Sequence, residues 1–116
     1  MSTILYRPTP YSYSTAVKAG DTVYLALHRG FGEDLAAQLD GTFNYIRADL
    51  AAFGLGLESL VKVNVWLKRI EDLPAMEKQF AKYFDNDRFP ARMTATTEFF
   101  DPDCLVMVDG IAYAGQ

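Results

Sequence analysis

Apolar residues recur along this chain with two different periods, and the change of period separates strands from helices. Alternation of apolar and polar residues predicts strands at Thr22–His28 and at Leu60–Lys68, the second with the β-branched enrichment that strands prefer. In the first of these strands, the alternation places Val23, Leu25 and Leu27 on a single face. Both segments are therefore predicted to be half-buried strands.

A period of three to four residues predicts two amphipathic helices. The first extends from about Glu33 to Phe53, and Gly54 is expected to end it in the left-handed conformation. Its apolar stripe consists of Leu35, Leu39, Phe43, Ile46, Leu50 and Phe53. The second begins at a cap, Asp72, with Pro74 in its first turn, and its buried stripe consists of Met76, Phe80 and Phe84.

Three further strands complete the predicted order. A short strand at Ala16–Lys18 precedes the turn at Gly20-Asp21, and two more follow the second helix, at Ala91–Glu98 and at Leu105–Tyr113. The resulting order, ββαβαββ, is typical of an α+β fold in which a mixed sheet carries both helices on one face. No linker, repeat or low-complexity segment interrupts it, so residues 1–116 are predicted to form a single domain.

The opposite face of such a sheet would be uncovered. Strand parity assigns Tyr24, Trp66, Met107 and Ile111 to this face, together with Leu105 or its neighbours. That is more apolar surface than a small monomer normally exposes to water. The face is therefore predicted to be covered by other copies of the same chain.

Composition limits the classes of partner and the compartment. The net charge of -4 gives no broad cationic field, which disfavours nucleic acid as a partner. The single cysteine cannot form an intrachain disulfide, and the first residues lack the apolar core of a signal peptide. Since no apolar run approaches the roughly 18 residues of a membrane span, we expect a cytoplasmic protein that does not enter a membrane.

One arginine is a candidate ligand-binding group. Arg92 follows Phe89-Pro90-Ala91 at the start of a predicted strand, and strand parity places Thr94 and Glu98 on its face. A guanidinium is a rigid fork that binds a carboxylate through two charge-assisted hydrogen bonds. The alternative is structural, namely a salt bridge to Asp109 or Glu98, or a solvated strand end.

Two other polar residues stand in apolar strands. Asp109 interrupts the last strand, where a carboxylate needs a partner because its removal from water is costly. It is suited either to hold a water and shuttle a proton or to form an ion pair with Arg92. His28 is the only histidine, and with no cysteine cluster the chain has too few ligands for a typical metal site. His28 is interpreted as a residue at the edge of a site or on the surface.

Several segments together resemble the reactive intermediate deaminase (Rid, YjgF-like) family over nearly the whole chain. They are Pro10-Tyr11-Ser12, residues 16–25, residues 60–68, the Pro-Ala-Arg run at 90–92 and residues 108–113. The resemblance implies a chorismate-mutase-like fold and a homotrimer with clefts lined by two neighbouring chains. It also implies hydrolysis of enamines and imines of 2-amino acids, such as 2-aminoacrylate and 2-iminopropanoate, to a 2-keto acid and ammonia, without a metal or organic cofactor.

The same resemblance implies roles for individual residues. Arg92 corresponds to the arginine that grips the substrate carboxylate, and Asp109 to the acidic residue that orients the attacking water. Tyr11 corresponds to a tyrosine that lines the cleft. An iminium carbon is already electrophilic, so such a site needs only to hold the carboxylate, position a water and accept its proton.

Four departures from the family pattern fall among the expected cleft residues. The family's Ser-Gly-Gln stretch is Ala26-Leu27-His28, an asparagine is replaced by Glu77, a common cysteine by Thr94, and the usual glutamate by the shorter Asp109. These positions are predicted to contact substrate, and their replacement favours a changed or lost substrate. A non-catalytic trimer that binds a small metabolite or a partner protein is the alternative. Endoribonuclease activity, a label that some members carry, is disfavoured by the acidic net charge.

Overall fold

The computed structural model describes residues 3–115, which form one six-stranded mixed sheet and two α-helices. The strands are β1 Ile4–Pro8, β2 Ser14–Ala19, β3 Thr22–His28, β4 Leu60–Leu67, β5 Ala91–Thr96 and β6 Val106–Tyr113. The helices are α1 Leu35–Ala51 and α2 Leu73–Phe80. The α+β class is confirmed, but the order is βββαβαββ because the sequence prediction omitted β1.

The residues of strand β1 show no alternation of apolar and polar positions that would predict a strand. It pairs antiparallel with β2 at the edge of the sheet, and all five of its residues are exposed. A strand without a buried face has no alternation of apolar and polar residues to mark it. Pro8, which lacks an amide hydrogen, ends the strand where the pairing register shifts.

The sheet has the order β1-β2-β3-β6-β4-β5, which makes β5 the second edge. Only the β4–β5 pair is parallel among the pairs formed by the described residues, and α2 lies in the connection between these two strands. The other four pairs are antiparallel. Neither of the two helices in residues 3–115 is long and apolar enough to cross a membrane.

Helix α1 supplies most of the helical side of the core, and its predicted stripe is confirmed. Five of its six predicted apolar positions are buried: Leu35, Leu39, Phe43, Ile46 and Leu50. Asp34 precedes the helix and caps it, since its Oδ1 accepts a hydrogen bond from the Ala37 amide at 2.9 Å. After the helix, Gly54 has the predicted left-handed conformation, with φ of 76°.

Helix α2 is shorter than its apolar stripe. It ends at Phe80 and continues as a 3₁₀ turn, Ala81–Tyr83, before Phe84 packs at the border of the core. Asp72 precedes the helix, but its side chain makes no capping hydrogen bond and instead lies 3.6 Å from Arg69. The predicted position of the helix start is confirmed, whereas the predicted side-chain cap is wrong.

A bulge near the end of β3 reverses the predicted parity of its last residues. The pairing of β3 with β6 shifts between Leu25 and His28. Leu25 and His28 are each 6% exposed on the helix side, whereas Leu27 is 40% exposed. The prediction that Leu27 shares the buried face was therefore wrong, and so was the surface interpretation of His28.

A buried carboxylate on α1 holds this bulge in place. Asp49 Oδ2 lies 2.6 Å from His28 Nε2, and the other ring nitrogen, Nδ1, lies 2.6 Å from the Ala26 carbonyl oxygen. Asp49 Oδ1 accepts hydrogen bonds from Arg7 Nε at 3.1 Å and from the Thr15 hydroxyl at 3.0 Å. One carboxylate thus connects β1, β2 and β3 to the helix.

The sheet face opposite the helices is uncovered in the single chain. Tyr24 is 51% exposed there, and Trp66, Met107 and Ile111 are half-buried on the same side. Leu105 does not belong to this face, because it packs against the core and its amide donates to Gln38 Oε1 on α1 at 2.8 Å. The predicted apolar face is otherwise confirmed.

The Asp49 network predicts a large effect of a single substitution. Asp49→Ala would leave the buried His28 ring and two further donors without their acceptor, so we expect the free energy of unfolding to fall by about 2 to 3 kcal/mol. Arg7, whose side chain is partly exposed, contributes little to that loss. Urea unfolding measures the change.

Asp40→Ala is the matched control for this prediction. Asp40 lies on the exposed side of the same helix and accepts one hydrogen bond, from the Tyr83 hydroxyl. We expect the free energy of unfolding of this variant to change by no more than about 0.5 kcal/mol. Equal midpoints for the two variants would contradict a stabilising role for the Asp49 network.

Candidate functional site

Arg92 lies at the mouth of a pocket beside the edge strand β5. The pocket, here called the arginine pocket, has a volume of about 320 Å³ and is lined by Glu77, Phe80, Ala81, Phe89, Pro90 and Arg92. The register pairs Arg92 with the buried Val63, so its side chain leaves the sheet on the helix side. Its guanidinium carbon lies 4.9 Å from the centroid of the Phe80 ring.

The guanidinium is held by a carboxylate of its own chain. Both terminal nitrogens of Arg92 donate to the carboxylate of Glu77 on α2, one of them at 3.4 Å and the other in a closer ion pair. The predicted structural alternatives, Asp109 and Glu98, are therefore not its partners. The geometry is the two-pronged contact that a ligand carboxylate would require.

A larger and mostly apolar pocket lies where β3 and β6 meet the loop after β5. This apolar pocket has a volume of about 660 Å³ and is lined by Tyr13, Ala26, Leu27, Glu98, Phe99, Phe100 and Met107. It contains two residues that the sequence assigned to substrate binding, Ala26 and Leu27. The single carboxylate in its lining is Glu98.

A second, polar pocket adjoins the apolar pocket and shares Tyr13, Leu27 and Met107 with it. Its volume is about 440 Å³, and its polar lining includes Arg7, Thr15, His28, Arg29, Tyr45 and Asp49. Both ring nitrogens of His28 already face an acceptor, so the ring has no nitrogen left to act on a ligand. His28 lines this pocket, but its contacts are structural.

Arg29 in the polar pocket is also engaged. Its Nη1 donates to Asp101 at 2.5 Å, and its guanidinium carbon lies 4.4 Å from the centroid of the Phe31 ring. The Arg29 guanidinium is the main reason that the pKa of Asp101 lies below its usual value. Arg29 is thus partly committed to the loop that also carries Phe99 and Phe100.

Asp109 lies on the uncovered sheet face. Its Oδ1 accepts from Asn64 Nδ2 at 2.8 Å and its Oδ2 from Trp66 Nε1 at 2.9 Å, both on β4. It is not among the residues that line the three pockets. The predicted ion pair with Arg92 is therefore wrong, since Asp109 is satisfied by two neutral donors.

The predicted site residues form two separate groups in one chain. Arg92 and Glu77 belong to the arginine pocket at the β5 edge, and Thr94 lies two residues further along β5, opposite Val65. Ala26, Leu27 and His28 lie on β3, and strands β6 and β4 separate β3 from β5. Tyr11 lies in neither group, because it is exposed in the bend between β1 and β2.

Sequence reasoning missed several residues of the apolar and polar pockets. Tyr13, Phe99, Phe100 and Met107 line the apolar pocket, and Asp49 anchors the polar one. Tyr13 carries no distinguishing pattern in the sequence, and Met107 was assigned only to the uncovered sheet face. Asp49 could have been noticed, since it falls on the buried side of α1 among the apolar stripe.

Comparisons with known sequences and with solved structures agree with one another. A family model described as Endoribonuclease L-PSP matches residues 6–114. A RutC family protein from Pyrococcus horikoshii is 32% identical over 109 residues, which cover 87% of this chain and 86% of that protein. A solved structure from Streptococcus pyogenes, described as a hypothetical protein of the yjgF family, has 33% identity and a TM-score of 0.89, with 100% of both chains covered.

A further relative has a name that states an activity. A protein from Dermatophagoides farinae, named 2-iminobutanoate/2-iminopropanoate deaminase, is 28% identical over 107 residues, which cover 85% of this chain and 83% of that protein. The family model and these relatives span most of the chain, and the fold matches a solved member throughout its length. The protein therefore belongs to the Rid family, also known as the YjgF or RutC family.

Proposed function

We propose that the protein hydrolyses enamines or imines of 2-amino acids to the 2-keto acid and ammonia. The observation that carries the proposal is the guanidinium fork of Arg92, which already holds a carboxylate at the mouth of a pocket. A relative named as an imine deaminase supports the same reaction class. The substrate carboxylate would replace that of Glu77 on Arg92.

The active cleft would be shared between neighbouring copies of the chain. Within one chain the arginine pocket lies on the helix side near the start of β5, whereas the apolar pocket lies between β3, β6 and the loop after β5, and the two share no lining residue. In the proposed trimer, Arg92 on the edge strand β5 of one copy would face the apolar pocket of the next. The exposed Tyr24 and the half-buried Trp66 and Met107 are suited to such an interface.

The chemistry requires little of the protein. Water adds to the imine carbon while a carboxylate takes one of its protons and passes it to the nitrogen, which gives a carbinolamine. Transfer of the hydroxyl proton to the nitrogen then breaks the C–N bond, forms the C=O bond of the 2-keto acid and releases ammonia. Asp109 remains the sequence-based candidate for this carboxylate. A carboxylate offers about four acceptor sites, so Asp109 can bind a water beside Asn64 and Trp66.

The alternative function is binding without catalysis. Each predicted catalytic residue is already engaged within the chain, Arg92 by Glu77 and Asp109 by Asn64 and Trp66. A chain that only binds a small metabolite or a partner protein in the same clefts would need no free water-positioning group. Turnover that depends on Arg92 and Asp109 would exclude this alternative.

The shared cleft predicts a trimer in solution. Light scattering at micromolar concentration should give about three times the chain mass of 13.0 kDa. Tyr24→Lys should dissociate the trimer because it places a charge on the uncovered face, whereas Ile70→Lys, at an exposed position on a 3₁₀ turn, should not. A wild-type mass of one chain would contradict the shared cleft.

Arg92 and Glu77 should have opposite effects on turnover. In an assay that generates 2-aminoacrylate from serine, Arg92→Ala should lower kcat/KM about a hundredfold by removing two charge-assisted hydrogen bonds. Arg92→Lys should retain only part of the activity, because lysine cannot make the two-pronged contact. Glu77→Gln should lower KM several-fold, since it removes the competing anion.

The control for these variants is Arg69→Ala, which removes an equal charge from an exposed residue just before the 3₁₀ turn that leads into α2. It should leave kcat/KM unchanged within about a factor of two. Release of pyruvate and ammonia above the spontaneous rate is the measurement. Equal rates for the wild type and Arg92→Ala would refute the anchoring role.

Asp109 and Glu98 can be compared directly as water-positioning groups. Asp109→Asn keeps the size of the side chain but removes the proton acceptor, so kcat should fall at least about a hundredfold. Glu98→Gln should have a smaller effect if Asp109 is the acceptor. The opposite ranking would assign the role to Glu98, the carboxylate of the apolar pocket. A loss of thermal stability without a loss of kcat in Asp109→Asn would make Asp109 a structural residue.

A further inference from the structure

We propose that the apolar pocket selects substrates with a large apolar side chain, of the leucine or phenylalanine type, over the methyl-sized group of 2-iminopropanoate. The inference rests on the proposed function and names its substrate class. The pocket of about 660 Å³ is twice as large as the arginine pocket of about 320 Å³. A three-carbon substrate would leave most of it unfilled.

The lining matches an apolar side chain. Six of the seven lining residues carry apolar or aromatic side chains, and the seventh, Glu98, is an acid. An acidic side chain on the substrate would meet Glu98 without a compensating cation in this lining. Leu27 and Met107 face the space shared with the polar pocket, and the flexible thioether of Met107 can adapt to branched or planar groups.

The backbone conformation at the end of β3 fixes the orientation of the Leu27 side chain. The β3 bulge turns Leu27 away from the core, while His28 takes the buried position that regular alternation would give to Leu27. His28 contributes by bonding both the Ala26 carbonyl and Asp49, which fixes the two residues on either side of Leu27. A leucine side chain that is 40% exposed on a fixed backbone is available to contact a ligand.

The expected difference in kcat/KM between large and small imines is large enough to measure. Each methylene that enters a hydrophobic pocket changes kcat/KM by roughly tenfold or more. The leucine-derived imine has three more carbon atoms than 2-iminopropanoate, so even an incompletely closed pocket should give a preference of at least about tenfold. The preference should decrease when the pocket wall is truncated.

The experiment compares imines generated in the assay. A dehydratase acting on serine supplies 2-aminoacrylate and 2-iminopropanoate, and an L-amino acid oxidase with catalase supplies the imines of leucine and phenylalanine. Capture of the remaining imine by semicarbazide gives the rate of hydrolysis in each case. We expect kcat/KM to be at least about tenfold higher for the larger substrates with the wild-type protein.

Three variants test the assignment to this pocket. Leu27→Ala and Met107→Ala should each reduce the ratio of kcat/KM between large and small imines at least about threefold, because each shortens the wall that a large side chain contacts. Ile70→Ala, which truncates an exposed apolar side chain outside the pocket, should leave the preference unchanged. Equal rates on small and large imines, or a preference unaffected by the first two variants, would overturn the inference.

Binding of the products provides a measurement that does not require turnover. Calorimetry should show that 4-methyl-2-oxopentanoate binds more tightly than pyruvate and that Leu27→Ala removes most of the difference. If no imine is hydrolysed faster than spontaneously but this difference persists, the proposed function fails and the pocket assignment stands. If the imines are hydrolysed but neither rates nor binding depend on side-chain size, only the inference fails.

Discussion

One buried carboxylate organises the part of the fold on which the candidate cleft depends. Asp49 projects from α1 and accepts hydrogen bonds from residues on β1, β2 and β3. Removal of a carboxylate from water is costly unless its acceptor sites are used, and here three donors use them. The helix, the two edge-side strands and the β3 bulge are therefore fixed relative to one another.

The bulge connects this constraint to the site. Because His28 is bound on both ring nitrogens, it occupies the buried position at the end of β3, and Leu27 turns into the apolar pocket. His28, interpreted from the sequence as a residue at the edge of a site or on the surface, thus acts as a buried positioning residue. Ala26, Leu27 and His28 are thus held in place together by the hydrogen bonds of the His28 ring.

The charged groups of the candidate cleft have partners within the chain. Arg92 is paired with Glu77 and packed over Phe80, and Asp109 is bound by Asn64 and Trp66. A carboxylate that bound Arg92 would therefore have to exchange with Glu77 rather than occupy an empty cation site. Such an exchange costs little at a partly exposed ion pair, which is weak in water.

The sequence by itself determined the class of fold, the amphipathic stripe of α1, the uncovered apolar sheet face and the family, because each depends on periodicity or on residues that keep their order along the chain. It did not determine β1, whose exposed residues carry no pattern, or the orientation of Leu27 and His28, because one inserted residue in a strand reverses the parity that follows it. The partners of Arg92 and Asp109 were also decided only in three dimensions. Glu77 comes from a helix and Asn64 and Trp66 from a neighbouring strand, and no local pattern specifies which distant groups packing brings within hydrogen-bond distance.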